Sequence, residues 1–418
     1  MRLRSRWKRL EGGEGLHGQK RYTVKAPLLA QNAREKWGTL APERSSDLRM
    51  NGLPRPGPQM SWRQVRWAGV FLAGLALSGV VTAAPAPLEI RVVVVTTFEV
   101  GNDTGDEPGE FQNWVERYPL PEILPFPQGY RSLRYNAKDR VLGIVTGAGK
   151  ASAAASIMAL GLDPRFDLTK AYWILAGIAG INPNRASVGS AAWASHIVDG
   201  DLAYEIDGRE IPGDWPTGIV AYDRATPFEQ PAPPAVSDNG TLAYDLNGGL
   251  AAWAYGLTRD LALPDDEKLK AARAGYPDFP NAQRPPFVLQ GDTLTADRFW
   301  IGARMTDWAE KWVPYWTKGE GRFTTSAEED SAYLQALTFL AHARRADLRR
   351  VLDLRTGSDF TMPPKGSSPA DLLKSEATGN YAAYAEAIEN AYRVGSQVVR
   401  ELAQHWPLYR RTVPAAKP

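Results

Sequence analysis

Residues 174–183 read ILAGIAGINP, and residues 145–156, a short way upstream, read VTGAGKASAAAS. In the first stretch two glycines and two alanines alternate with four Ile or Leu side chains before an Asn-Pro stop. Both apolar runs end in glycine at a point where a buried strand is expected to pass into a turn or a helix. Tight packing explains such glycines. So does backbone left open to a small ligand at neighbouring strand ends, and the rest of the chain decides between the two.

Working outward, IRVVVVTT (90–97) is a β-branched run without alternation, the pattern of a strand buried on both faces. VLGIVT (141–146), AYWILAG (171–177) and SAAWASHIVDG (190–200) read as further strands, and GAGKASAAASIMALGL as a turn entering an Ala-rich helix that Asp163-Pro164 stops. FVLQGD (287–292) and LRRVLDLRTGSDF (348–360) are strands with polar ends. SAEEDSAYLQALTFLAHARR (326–345) is a helix with acids in its first turn, where the helix dipole favours them, and the stretch Asp371–His405 is helical. Strand and helix alternate, which predicts a three-layer α/β/α fold with a mixed central sheet. Residues 84–418 are expected to form a single domain, with a Pro/Gly/Trp-rich insertion at about 205–290.

Ligands of open α/β sheets bind beyond the carboxyl ends of strands. Five expected strand ends carry Thr97 and Glu99, Gly147 and Gly149, Gly177 and Gly180, Gly291 and Asp292, and Ser358 and Asp359. Their coincidence favours the ligand reading of the opening glycines.

Composition narrows the chemistry. The chain of 418 residues has no Cys, which excludes disulfides and thiolate nucleophiles. Its four His (His17, His196, His342, His405) lack metal-ligand spacing, so no metal and no cofactor is expected. Residues 60–83 carry Arg63 and Arg66, an apolar run from Trp67 to Val81, and then small residues, the pattern of a secretory signal peptide cleaved after Ala83. An uncleaved N-terminal anchor is the competing reading. Residues 1–59 are basic and aperiodic, and read as a mis-assigned start, with Met60 the true one, or as a disordered tail. Residues 1–83 contain 15 Lys+Arg and 5 Asp+Glu; the remainder has 34 and 42, a net charge of −8, which argues against nucleic acid as a partner. The expected location is periplasmic or secreted.

TGAGKASAAAS, ILAGIAGINP, LQGD, AEEDSA and LRTGSD, in that order, resemble the motifs of the nucleoside phosphorylase and nucleosidase superfamily. The long insertion, the leader and the stretch SHIVDGDLAYEIDGREIP look most like the purine nucleoside permease family, over roughly Ile90 to His405. The resemblance implies a nucleoside-phosphorylase-like fold and a purine nucleoside as ligand. It implies that Glu329 grips the ribose hydroxyls and that Asp359 is the general acid toward the purine N7. It places Phe299 and Trp300, after the LQGD strand, as the aromatic wall against the base. The two carboxyl roles suit the chemistry. Breaking an N-glycosidic bond leaves a cationic sugar and an anionic base, and a proton donor removes the second charge. Each residue also has a plainer role open to it: a turn or helix cap for Asp359, a helix N-terminus for Glu329, core for Phe299 and Trp300, and a satisfied histidine for His196.

Two departures bear on activity. Phosphorylases of the superfamily place an Arg and a Ser or Thr near the GIAG turn to hold phosphate; the matching positions are Leu175 and Ile178, whose side chains cannot bind an anion. Where relatives have Met before the ribose glutamate, this chain has Glu328. The expectation is therefore a purine-competent, phosphate-poor pocket. It would serve a secreted binding protein in nucleoside uptake with a membrane transporter partner, or else a glycosidic-bond-cleaving enzyme, hydrolase before phosphorylase. A third reading is a cell-envelope protein that has kept the fold without the pocket.

Overall fold

Ten consecutive residues, Tyr172–Ile181, form the strand at the centre of a 12-stranded mixed sheet. The computed structural model describes residues 86–238 and 240–416. The readings for residues 1–59 and 60–83 lie outside the described residues.

In chain order, β1 (Val92–Thr96), β2 (Val141–Val145), α1 (Lys150–Leu162) and β3 (Tyr172–Ile181) match the expected strands and helix. The stretch 190–200 forms two strands, β4 (Ala191–Trp193) and β5 (His196–Asp199). Next come β6 (Ala243–Asp245), α2 (Gly248–Thr258), β7 (Val288–Gln290) and β8 (Asp292–Thr295), then α3 (Ala303–Trp316), β9 (Phe323–Ala327), α4 (Asp330–His342), β10 (Val351–Phe360), α5 (Pro369–Glu376) and α6 (Tyr384–Gln404). One path through the sheet runs β6-β5-β8-β9-β3-β1-β2, with two short edge strands beyond β2. β10 pairs in parallel with the whole length of β3 and antiparallel with β4. β3 meets β1 along its first half and β9 near its end.

Apolar faces explain the layers. α1 and α4 cover one face through Ile157, Leu160, Leu337 and Leu340, and α6 covers the other through Val394, Val398 and Leu402 against Tyr172 and Leu354. The region 205–290 divides: two small hairpins lie before Thr241, while β6 extends the sheet edge and α2 packs under Val288. Among the described residues no helix is long and apolar enough to cross a membrane.

Two strand readings change. The GIAG stretch is not a turn. β10 offers β3 a complete ladder, pairing Arg355 with Gly177, Thr356 with Ile178 and Gly357 with Ala179, so the strand runs on to Ile181. LQGD is not one strand end. Gly291 separates β7 from β8, because a side chain there would collide with Thr324. Asp292 is thus the first residue of β8, at the end opposite Thr295.

Candidate functional site

The β3–β10 ladder carries a bulge between Gly357 and Asp359, after which Asp359 pairs with Gly180. A bulge puts two residues opposite one and re-aims the side chains around it. Gly180 makes room for the result: a Cβ there would lie 3.2 Å from Asp359 Oδ2. Ser358 Oγ donates to Asp359 Oδ1 at 2.6 Å and also bonds the Ala179 carbonyl. Asp359 faces a narrow cleft lined by Gly180, Ala296, Arg298, Phe299, Trp300, Ser326 and Glu328 among others. The cleft lies at the carboxyl ends of β3, β8, β9 and β10. Burial pushes the Asp359 carboxyl up to about 6, with the Ser358 hydroxyl pulling the other way.

Beside the cleft, Glu329 occupies the turn between β9 and α4 and is buried. Its carboxylate accepts from Gly149 N at 3.1 Å and Thr97 Oγ1 at 3.2 Å, and Arg355 Nη2 lies 3.5 Å away. Gly149 aims its N–H there from φ +84°, a conformation L side chains rarely adopt. Two expected strand ends, those of Thr97 and Gly149, therefore converge on Glu329, and Thr97 and Thr146 share the Tyr333 hydroxyl beneath them. Burial pushes Glu329 up from its ordinary value against the pull of Arg355.

Arg355 was not foreseen and organises this region. It is buried on β10, donates through Nε and Nη2 to Asp330 Oδ1 at 2.9 and 2.7 Å, and has Glu110 at 4.0 Å and Asp353 at 3.9 Å. Burial, partly offset by Arg355, pushes Glu110 up to about 7, and Glu110 also accepts from Thr97 N and Ile178 N. An arginine inside a fully buried strand was the available signal, since such a cation requires carboxylates around it.

The sequence expectations divide accordingly. Asp359, Gly180, Phe299 and Trp300 line the cleft, with Ser358 behind Asp359 and Thr97, Gly149 and Glu329 beside it. Gly147 stands at φ +82° under the Tyr130 ring. Trp300 also belongs to the core, edge-on to Trp308 at 6.1 Å. Three expectations are corrected. Gly177 does not open to a ligand, because Arg355 and Glu110 fill the space its side chain would take. Glu99 is a loop clamp, accepting from the backbone N–H groups of Val100, Gly109, Phe111 and Gln112. Asp292 holds the backbone N–H groups of Ser195, His196 and Arg322, with the His196 ring 3.3 Å away.

The rim of the cleft is acidic. Burial, then the charges of Glu329 and Asp297, push Glu328 up to about 7. The cations near it are engaged: Lys150 Nζ bonds Asp199 at 2.7 Å and Asp201 at 2.8 Å, and Arg298 bonds Glu205 at 2.7 Å. Leu175 is fully buried, and Ile178 gives its backbone N–H to Glu110. Among the described residues no group of three or more His, Asp or Glu could hold a metal ion.

An α/β protein with an acid-lined cleft at the carboxyl ends of its strands is thus defined. The family model described as purine nucleoside permease matches residues 89–414, and the chain belongs to that family. A probable purine nucleoside permease of Schizosaccharomyces pombe is 35% identical over 283 residues, covering 66% of this chain and 80% of its own. A purine nucleoside permease of Candida albicans is 28% identical over 319 residues, covering 76% and 75%. Among solved structures, a 5'-methylthioadenosine/S-adenosylhomocysteine nucleosidase from Colwellia psychrerythraea in complex with adenine aligns with TM-score 0.45 at 16% identity, over 75% of this chain and 96% of that one. The futalosine hydrolase of Helicobacter pylori aligns with TM-score 0.45 at 11% identity, over 75% and 98%.

Proposed function

We propose that this protein binds a purine nucleoside in the cleft between Gly180, Phe299 and Asp359, and takes part in nucleoside uptake as a secreted component working with a membrane transporter partner. The observation that carries the reading is Asp359: a buried carboxyl, aimed by a bulge, in a cleft whose wall also includes the half-exposed Phe299. A neutral carboxyl donates a hydrogen bond to a purine ring nitrogen, and an aromatic face stacks on the base. Glu329, held by Thr97 and Gly149, offers its carboxylate to sugar hydroxyls. The family membership supports the nucleoside, and the Arg-flanked apolar run at 60–83 supports secretion.

A second reading is that the bound nucleoside is also cut, and the raised Asp359 favours it. A carboxyl titrating near 6 stays partly protonated close to neutrality, as general acid catalysis of base departure requires. The engaged cations and acidic rim favour water over phosphate as the nucleophile. Calorimetry with inosine and uridine, followed by assay for free hypoxanthine, tests both readings. Preference for inosine supports the site, and hypoxanthine released without phosphate supports hydrolysis. Equal or no binding of the two nucleosides overturns the proposal.

A further inference from the structure

The GAGK turn ends in a lysine that forms no part of the cleft lining. Lys150 opens α1, directly after Gly149, whose N–H goes to Glu329. Its ammonium donates to Asp199 Oδ2 at 2.7 Å and to Asp201 Oδ2 at 2.8 Å, while its own backbone N–H donates to Asp297 Oδ1 at 2.7 Å. Asp297 N closes a ring, donating at 2.6 Å to the same Asp201 oxygen that Lys150 Nζ holds. Lys150 therefore grips Asp297 twice, once through its backbone and once, by way of Asp201, through its side chain.

One side of the ring is anchored in the body of the protein. Asp199 ends β5, and its Oδ1 accepts from the N–H groups of Asp201 and Leu202. Its Oδ2 also accepts from Ser331 Oγ, in the first turn of α4, at 2.7 Å. The Lys150 and Asp199 side chains are 17% and 11% exposed, so water screens this pair far less than a surface ion pair. An ammonium carries three donors, so one lysine bridges two carboxylates that would otherwise repel each other.

The other side of the ring is the cleft wall. Asp297 follows β8, and the wall residues Arg298, Phe299 and Trp300 follow Asp297. The two ends of this segment are fixed separately: Ala296 N bonds the Ala327 carbonyl at 3.0 Å, and Trp300 packs on Trp308 and Phe323. Between them Phe299 stands half exposed, and Arg298 reaches only the partly exposed acids Glu205, at 2.7 Å, and Asp201, at 3.7 Å. Asp297 is an exposed residue, yet both its carboxylate and its backbone N–H are committed to the ring.

From this geometry we infer that Lys150 is a positioning residue for base recognition: it fixes the segment Asp297–Trp300 and so sets the Phe299 ring against the purine. The inference rests on the nucleoside-binding reading given above. An exposed ring on a loose segment has to be ordered when the ligand arrives, and that cost falls when its backbone is already held.

The test uses the full chain and titrates inosine by calorimetry, which reads affinity and the number of sites separately. Lys150→Met, Asp297→Ala and Phe299→Ala should each weaken inosine by about tenfold with the number of sites unchanged, since stacking a base on an aromatic ring is worth about that much. Adding Lys150→Met or Asp297→Ala to Phe299→Ala should cost less than a further twofold or so, because the ring to be positioned is already gone. Asp297→Asn keeps an acceptor for Lys150 N and should bind within about threefold of wild type. Asp297 and Phe299 are both exposed, so their double variant decides the case should Lys150→Met fail to fold. Losses that multiply to about a hundredfold in the double variants, no loss in the single ones, or a loss of sites at unchanged affinity would each sink this inference alone. A wild type that does not bind inosine sinks the nucleoside reading and this inference with it.

Discussion

Two groups of buried acids are treated in opposite ways. Around Arg355, the carboxyl groups of Glu110, Glu329, Asp330 and Asp353 share one guanidinium, with Thr97, Gly149, Ile178 and Thr293 supplying hydrogen bonds. Asp359 has one serine hydroxyl and no cation, and Glu376, buried at the end of α5, has neither oxygen hydrogen-bonded. A compensated cluster fixes geometry, because each member is held by the others. An uncompensated carboxyl keeps its proton, because burial makes the charged form expensive. The first group is the frame that positions Glu329, and the second is where acid chemistry is available.

Removing the guanidinium should have the largest effect on this contrast. Arg355→Leu leaves four buried carboxyl groups without their cation, and breaking a buried pair by deleting one partner costs roughly 3–5 kcal/mol. Denaturant unfolding near pH 7 should show that loss. A change below about 1 kcal/mol would mean that the acids are already neutral and that Arg355 does not hold the frame.

The paired counterpart is Asp359→Asn. It should lower any inosine cleavage by about 10²–10⁴-fold while changing nucleoside affinity far less, since a general acid acts in the transition state. Glu329→Gln should do the reverse. It weakens inosine binding by about 1.5–3 kcal/mol, roughly ten- to hundredfold, through a lost charged hydrogen bond. Calorimetry and base release on both variants separate the roles, and equal profiles for the two would erase the distinction drawn here.

Glu376 tests the same contrast through stability. Its pKa is raised on folding, so the stability it contributes is present below its ordinary value of 4.5 and is lost as pH rises toward about 8. Glu376→Leu removes that dependence. Thermal unfolding should find the variant more stable than wild type above pH 8, by up to a few kcal/mol, and the gap should close in acid. A gap that does not vary with pH would mean that Glu376 does not ionise in the folded protein.

Strands buried on both faces were legible because β-branched runs such as Val92–Thr96 have few other uses. The convergence of Thr97 and Gly149 followed from the rule that ligands gather at strand carboxyl ends, while Glu329 came from the family resemblance. The failures have local causes. The strand Phe323–Ala327 was missed because its last two residues, Ser326 and Ala327, read as the start of a helix, which placed Glu328 and Glu329 in its first turn when they precede it. Asp292 was misplaced because Gly291 splits one apparent strand into two. Gly177 read as an opening because nothing local shows that Arg355 would cross it from the neighbouring strand. Glu376 was illegible for a related reason: its burial depends on a chain segment folding back over β10, where Ala383 N bonds the Ser358 carbonyl, and helical periodicity carries no trace of that.

The smallest expected effect concerns phosphate, and it bears on whether the compensated side has any charge to spare. A phosphate dianion beside the cleft would need cations, and Arg298 on its wall, Arg355 beside Glu329 and Lys150 beside Asp201 are candidates. Lys150 is held by Asp199 and Asp201, Arg298 by Glu205, and Arg355 by Asp330 with Glu329 behind it. Glu328, on the cleft wall, adds charge of the wrong sign once it ionises near 7. Freeing Arg355 or Lys150 would strand a buried carboxylate, at a cost comparable to what the new pair returns, whereas the exposed Arg298–Glu205 pair opens at little cost. Inorganic phosphate should therefore change inosine turnover by less than about twofold, with ribose rather than ribose 1-phosphate as the sugar product. Product analysis with and without phosphate checks this. A phosphate-dependent rate yielding the sugar phosphate would show that one of these ion pairs opens when the nucleoside binds, and the line between the two acid clusters would have to be redrawn around whichever cation had moved.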